Sequence, residues 1–305
     1  ASETLMSDSS GLFVFDNLDS GNYTVTPSLF GYTFSPVSID IELFDGDVLV
    51  NHFMATAIPV MYVPADYSSI QSAVDSALEG ATIIVSDGIY YENIVIDKAL
   101  TIVSENGPET TLVMASNSGQ HVIRVSAANV SIKGFDISGA HNYYRAAIYF
   151  GAGSDNGKAI NNKCGYDDAH RNYIGISISN SDNLEVRNNS CNHWGPFGIY
   201  LNSSEGSLIT GNTSMNHALE GIYLNSCISC TVSDNTVTAT RTGIRLSNSD
   251  DTVVSGNNSS SNTQNGVHVV GTGSNILSGN ISNSNAEVGI YVESSGPTEV
   301  IGNTT

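Results

Sequence analysis

A Gly-[IV]-x-[ILV] tetrapeptide begins at Gly175, Gly198, Gly221, Gly243, Gly266 and Gly289, at intervals of 23, 23, 22, 23 and 23 residues. Fourteen residues after each glycine stands an asparagine: Asn189, Asn212, Asn235, Asn257, Asn280 and Asn303. A period this constant means one supersecondary unit stacked on copies of itself. Within the unit, apolar residues alternate, as in Ile199-Tyr200-Leu201 and Ile222-Tyr223-Leu224. That is the period of a strand, and it excludes helical repeats. Asn/Ser/Gly turns then lead to a second short apolar stretch, such as Leu208-Ile209 or Val253-Val254, before the next asparagine.

About 23 residues with two or three short strands make one coil of a parallel β-helix, whose rungs lie about 4.8 Å apart. Equivalent residues then stack, so that Ile176, Ile199, Ile222, Ile244, Val267 and Ile290 form one interior column. Ile178, Leu201, Leu224, Leu246, Val269 and Val292 form the next. The asparagines form a structural ladder at a sharp turn, where side-chain amides bond from coil to coil and Asn tolerates a left-handed backbone. Asn212, Asn257, Asn280 and Asn303 also match N-x-[ST], but a buried ladder cannot carry a glycan. Asn22, Asn129, Asn188, Asn202 and Asn258 are the better glycosylation candidates.

The 305 residues fit two domains, and a net charge of −20 with only ten Lys+Arg excludes a nucleic-acid surface. Such acidity suits solubility, a salty medium or divalent cations, and Ca2+ is the one cofactor suggested. No apolar run approaches the length of a membrane span. Cys164 and Cys191 hold the same offset from Asn162 and Asn189 in successive coils, which predicts a Cys164–Cys191 disulfide. Cys227 and Cys230 form a C-x-x-C without a second such motif, which favours a Cys227–Cys230 disulfide over zinc or free thiols. Disulfides would place the chain outside a reducing cytosol.

The first sixty residues lack the beat. Leu12-Phe15, Tyr23-Thr26, Val37-Ile41 and Val48-Val50 read as strands between Gly, Pro and Asp turns. The stretch Gly11-Leu12-Phe13-Val14-Phe15, then Gly21-Asn22-Tyr23-Thr24-Val25, then Gly31-Tyr32-Thr33-Phe34 resembles the carboxypeptidase regulatory-like, Cna protein B-type β-sandwich. The resemblance covers roughly residues 8–56 of a first domain at residues 1–57 and implies a non-catalytic spacer. Family members begin with one or two further strands, so either the chain is a fragment or a neighbouring subunit supplies a strand.

After a short linker at residues 56–59, a helix is expected from about Ser68 to Leu78, with Ile70, Ala73, Val74, Ala77 and Leu78 on one face and Gly80 as its stop. Strands Thr82-Val85, Ile94-Ile96 and Leu100-Val103 follow. The run Ser69-Ile70-Gln71-Ser72-Ala73-Val74, then Asp87-Gly88-Ile89-Tyr90, Lys98-Ala99-Leu100-Thr101-Ile102 and Gly107-Pro108-Glu109-Thr110 resembles the entry to pectin-lyase-like right-handed β-helices. The closest group contains the carbohydrate-binding, sugar-hydrolase and periplasmic copper-protein-like repeats. The resemblance covers roughly residues 60–305, within a β-helix domain of residues 58–305, and implies a fold, all-β with an N-terminal capping helix, but not an activity. The apolar columns run to Thr305 with no polar cap in the sequence, which again suggests truncation or a cap on another molecule.

Two features are not demanded by the repeat. Tyr149, Tyr200, Tyr223 and Tyr291 occupy the outward position of the glycine-led strand with Ser177, Arg245 and His268, and such a ribbon can stack on sugar faces, aided by Trp194. It can equally be a plain cross-strand stack. The segments before those strands collect Asp167, Asp168, His170, Arg171, His193, His217 and Glu220, with the three histidines expected on one edge. An acid pair with His and Arg is what glycoside hydrolysis or β-elimination from a uronic acid requires, while stacked imidazoles suit a transition metal. Of the polygalacturonase motifs only an Asp-Asp is present, and no lysine accompanies Arg145 or Arg171. The leading reading is a secreted cell-surface structural or adhesive protein, a subunit of a layer, sheath or filament that meets copies of itself or other surface proteins through open ends and contacts polysaccharide. The alternative is an extracellular polysaccharide lyase or glycoside hydrolase working at the Asp167–Glu220 edge.

Overall fold

A computed structural model describes residues 4–8, 11–29, 32–44, 48, 52–165, 171–192, 195–271, 273–294 and 296–305. The chain divides into two compact units, Ala1–Pro59 and Val60–Thr305.

In the first unit, β1 (Gly21–Val25) pairs antiparallel with β3 (Ile39–Leu43), and β2 (Tyr32–Ser35) with β4 (Met54–Ala57). Sequence reading finds β1 and β3 within two residues but misses β2 and β4, which are four residues each and carry no run of large apolar residues. Leu12-Phe15 does not form a strand, although Phe13 and Phe15 meet edge-on with ring centroids 6.1 Å apart. Residues 49 and 50 of the expected fourth strand lie outside the described residues. Among the described residues of this unit none is fully buried.

The second unit is a right-handed parallel β-helix of about ten coils. Each coil feeds a seven-stranded, then a nine-stranded, then an eleven-stranded sheet; one coil runs through Ser190–Asn192, Phe197–Asn202 and Leu208–Thr210. Strands of the three sheets pair in parallel and in exact register, Ile176 to Ile199 to Ile222 to Ile244 to Val267, and all five are fully buried. Repetition therefore turns a three-residue strand, marginal alone, into a continuous apolar column.

The ladder forms as expected and extends back to Asn162. From Asn189 onward each ladder amide oxygen accepts both the backbone N–H and the side-chain N–H of the asparagine one coil earlier, at 2.9 and 3.0 Å for Asn189 on Asn212 and at 2.9 and 2.9 Å for Asn212 on Asn235, while Asn162 Oδ1 accepts the Phe135 N–H. Its own Nδ2 also donates to a carbonyl of the previous coil, as Asn212 does to Val186. The left-handed residue of the turn is not the ladder asparagine but the one before it: Asn161, Asn188, Gly211, Asp234, Gly256, Gly279 and Gly302 all have φ between 54° and 65°. That is why the ladder is preceded by Asn, Asp or Gly and by no β-branched residue.

A second ladder lies at the turn into the nine-stranded sheet. The Asn262 backbone and amide N–H groups donate to Asn285 Oδ1, and Thr240 N–H and Oγ1–H donate to Asn262 Oδ1. Asn172 acts likewise further up, accepting from Ala140 N–H and donating to the Ile137 carbonyl. His217 occupies this column too: it is buried, with Nε2 3.1 Å from the Cys191 carbonyl. The imidazole fills an interior rung of this turn that Thr and Asn fill in later coils, while His170 and His193, expected on the same edge, lie outside the described residues.

The predicted disulfides are not formed; Cys164, Cys191, Cys227 and Cys230 are buried free thiols. Cys164 and Cys191 do stand opposite one another. A parallel rung holds their side chains side by side about one rung apart, whereas a disulfide draws Cβ atoms to about 3.8 Å. Cys227 and Cys230 replace hydroxyls in two turn columns, Ser204-Cys227-Ser249 and Ser207-Cys230-Thr252, all buried. The Cys227 N–H donates to Ser249 Oγ as a serine there would.

Helix α1 (Ile70–Ser76) is shorter than expected at both ends. Ser69 caps it by a capping box with Ser72, and the Glu92 carboxylate accepts from the Ile70 and Gln71 N–H groups at 2.9 Å each. Ile70, Ala73 and Val74 are buried.

Candidate functional site

The glycine of the repeat decides how the nine-stranded sheet meets the turn before it. A Cβ on Gly198 would come within 2.6 Å of the Gly221 carbonyl and closer still to Ser214 Oγ, so no side chain fits there. The residues before this glycine, Phe197, Glu220 and Thr242, pair in register from coil to coil, and Phe197 and Glu220 touch the side chains of the second residue after it, Phe197 on Tyr200 and Glu220 on Arg245.

That second residue forms an unbroken register: Arg124, Tyr149, Ser177, Tyr200, Tyr223, Arg245, His268 and Tyr291. Phe197, Tyr200 and Tyr223 stack with ring centroids 5.3 to 5.8 Å apart. His121 stacks on Tyr149 at 4.3 Å and His268 on Tyr291 at 4.9 Å. The ribbon has one gap. Ser177 is only 5% exposed, so between Tyr149 and Tyr200 the floor drops by an aromatic ring. Beside the gap, Tyr143, Tyr144 and Tyr173 cluster with centroids 4.2 to 5.8 Å apart, Tyr143 and Tyr144 largely exposed.

Charge on this face is also ordered. Glu220, 2% exposed, accepts from Arg241 Nη2 at 2.5 Å and from Arg245 Nη1 at 3.3 Å. The Arg245 guanidinium lies 5.4 Å from the centre of the Tyr223 ring, a cation–π contact. Asn225 Nδ2 donates to Asn202 Oδ1 at 2.8 Å along the neighbouring column. Burial, with Arg145 and Arg124 beside it, lowers His121 to about 4, and its Nδ1 accepts the Ala146 N–H at 3.1 Å. Burial, then Arg245, lowers His268, so both imidazoles are neutral at pH 7. Burial, then Tyr223, raises the Tyr200 hydroxyl. These groups offer aromatic faces, hydroxyls and guanidinium N–H groups, the donors and platforms that sugars use.

Of the residues singled out in the sequence, Tyr149, Tyr200, Tyr223 and Tyr291 share the ribbon, and Glu220 lies at its margin in two ion pairs. Arg171 is exposed. Asp167, Asp168, His170, His193 and Trp194 lie outside the described residues. Among the described residues no cluster of three or more His, Cys, Asp or Glu could hold a metal, and no helix is long and apolar enough to cross a membrane. Asn22, Asn129, Asn188 and Asn258 are exposed, whereas Asn202 is half-buried in the Asn225 contact. Sequence reading missed Phe197, His121, Arg124 and Arg241. Phe197 carries a signal, its fixed position one before the repeat glycine; Arg241 carries one only once Glu220 is known to be buried.

Residues 168–305 match the family model described as right handed beta helix region. Over 78 residues the chain is 41% identical to the cell surface glycoprotein of Methanothermus fervidus, a match covering 25% of this chain and 13% of that protein. Two solved structures share the fold. Full-length tailspike protein 2 of Escherichia coli O157:H7 bacteriophage CAB120 has a TM-score of 0.53 at 13% identity, with 82% of this chain and 39% of that one covered. ORF18 of Geobacillus virus E2 has a TM-score of 0.53 at 15% identity, with 80% of this chain and 60% of that one covered.

Proposed function

We propose that this chain is a cell-surface protein in which the β-helix is a rigid scaffold and the outer ribbon of its nine-stranded sheet contacts carbohydrate. The observation that carries the reading is the register of Tyr149, Tyr200, Tyr223, Arg245, His268 and Tyr291, which lines aromatic and hydrogen-bonding groups along one straight face. The similarity to a cell surface glycoprotein supports the surface location. Assembly into a layer, sheath or filament is part of the same proposal, and light scattering and electron microscopy of concentrated full-length chain test it; a strictly monomeric particle removes it.

Glu220 supports a scaffold more than a hydrolase. A general acid or base must reach the substrate, and this carboxylate is covered and engaged by two arginines. Affinity electrophoresis in polysaccharide gels, with Tyr200→Ala and Tyr223→Ala beside the unaltered chain, tests the carbohydrate contact. Loss of retardation in both variants is expected. Retardation unchanged by either substitution, or release of reducing ends or unsaturated uronates by the unaltered chain, overturns the reading.

A further inference from the structure

We infer that the outer face of the eleven-stranded sheet docks the first unit of a second copy of this chain, so that copies join through charge. This rests on the assembly part of the proposed function and adds the two surfaces that meet. The chain's charge is unevenly spread. Residues 1–59 hold eight Asp+Glu and no Lys or Arg, whereas residues 124–187 hold six Asp+Glu and seven of the ten Lys+Arg. A segment without cations cannot neutralise itself, and it is drawn to the one stretch where cations are in excess.

The eleven-stranded sheet turns that excess outward. On its outer face, successive rungs set Lys133, Ile160 and Arg187 in one column and Ser131, Lys158 and Glu185 in the next. From Val60 to Ser278 these two columns contain no acid but Glu185. That carboxylate serves two cations, accepting from Lys158 Nζ at 3.0 Å and from Arg187 Nε at 2.8 Å, and Lys133 has no anionic partner among the described residues. The Lys158 and Arg187 side chains remain 49% and 43% exposed. Elsewhere the face is hydroxylated or apolar, with Val60, Tyr62, Leu208 and Ile276 exposed. In so acidic a chain, an exposed strip nearly free of acids, with cations at its middle, is a surface that a partner covers.

The first unit has the matching sign and spacing. Asp40 and Glu42 alternate with Ile39, Ile41 and Leu43, so both carboxylates stand on one exposed side of β3, about 7 Å apart. Lys133 and Arg187 lie two rungs apart, about 10 Å, and their long side chains span the difference. The contact joins unlike surfaces. Each copy therefore keeps one free surface of each kind, and growth continues into a filament or closes into a ring.

Sedimentation velocity and light scattering of the full chain over a concentration series, in low and high salt, test this. Association is strong in low salt and lost in high salt. Lys133→Glu with Arg187→Glu, and separately Asp40→Lys with Glu42→Lys, each raise the concentration for half-association at least about tenfold. An equimolar mixture of the two variants recovers association, because each then carries the sign that complements the other; circular dichroism confirms that both are folded. Assembly that ignores salt, assembly that survives either double reversal, or variants that stay apart on mixing overturns the inference and leaves the assembly reading standing. A chain that is monomeric in low salt at every concentration overturns both.

Discussion

The two units use the same polypeptide chemistry to opposite ends. In residues 1–59 each strand has one partner, and every described side chain keeps contact with water. In residues 60–305 nearly every strand has a partner on both sides, and the interior holds not only Ile, Leu and Val columns but buried asparagines, serines and threonines. Polar burial is tolerated there because the next coil supplies the complementary group at a fixed distance. Unpartnered, each such group would cost about 1–3 kcal/mol. Translation by one rung is what satisfies them, and a non-repeating pair of two-stranded sheets has no equivalent.

The largest test of that contrast is Asn235→Ala. It strands the Asn212 N–H and amide, which both donate to Asn235 Oδ1, and the Ile209 carbonyl, which accepts from Asn235 Nδ2. A loss of about 3–5 kcal/mol is expected in guanidinium chloride denaturation. A loss below about 1 kcal/mol would mean that water or a shifted coil replaces the ladder bonds.

Next come two glycines that differ in what surrounds them. Gly198→Ala drives a Cβ into Ser214, His217 and the Gly221 carbonyl, for an expected loss of at least about 3 kcal/mol. Gly279→Ala meets nothing within 4 Å and suffers only from its φ of +63°, about 1 kcal/mol. Thermal denaturation of the pair separates crowding from backbone strain, and equal losses would contradict the packing described.

Asp136 is a place where the stacking rule is broken. Its Oδ1 is buried without a hydrogen-bond partner, and burial, opposed by Lys163 and reinforced by Glu109, raises it to about 6. The folded chain therefore holds this proton where the unfolded chain has lost it, and stability falls as pH rises from the usual carboxylate range, near 4, through about 6. Asp136→Asn is expected to gain about 1–2 kcal/mol at pH 7.5, and nothing at pH 4, in urea titrations at the two pH values. A gain independent of pH would assign the effect to packing instead.

What the sequence discloses follows the same division. The period, the interior columns and the asparagine ladder are legible because every coil repeats the same constraint, and six copies average out local noise. The second ladder escaped because its rungs change identity, Asn172, His217, Thr240, Asn262 and Asn285, and because the offset from the glycine slips between three and four residues. The tyrosine ribbon was readable from strand alternation alone, but its charge logic was not. That Glu220 is covered while Arg241 and Arg245 are not depends on neighbouring rungs, which no single segment specifies. In residues 1–59 strand positions drifted because no copy of β2 or β4 exists to reinforce a weak pattern.

The smallest effect belongs to the first unit. Thr24 Oγ1 donates to Asp40 Oδ1 at 2.7 Å across the β1–β3 pair, a polar contact between strands as short as any in the ladders, but exposed. Water can replace either group at once, so Thr24→Ala is expected to cost no more than about 0.5 kcal/mol. Hydrogen exchange of the Gly21–Val25 amides reads this locally, with protection changing by less than about threefold. If protection instead collapses to the extent that Asn235→Ala produces in its own coil, then the β1–β3 pair is held by its polar contacts despite exposure. The contrast between the units would then lie in strand count, and not in the repetition of buried partners.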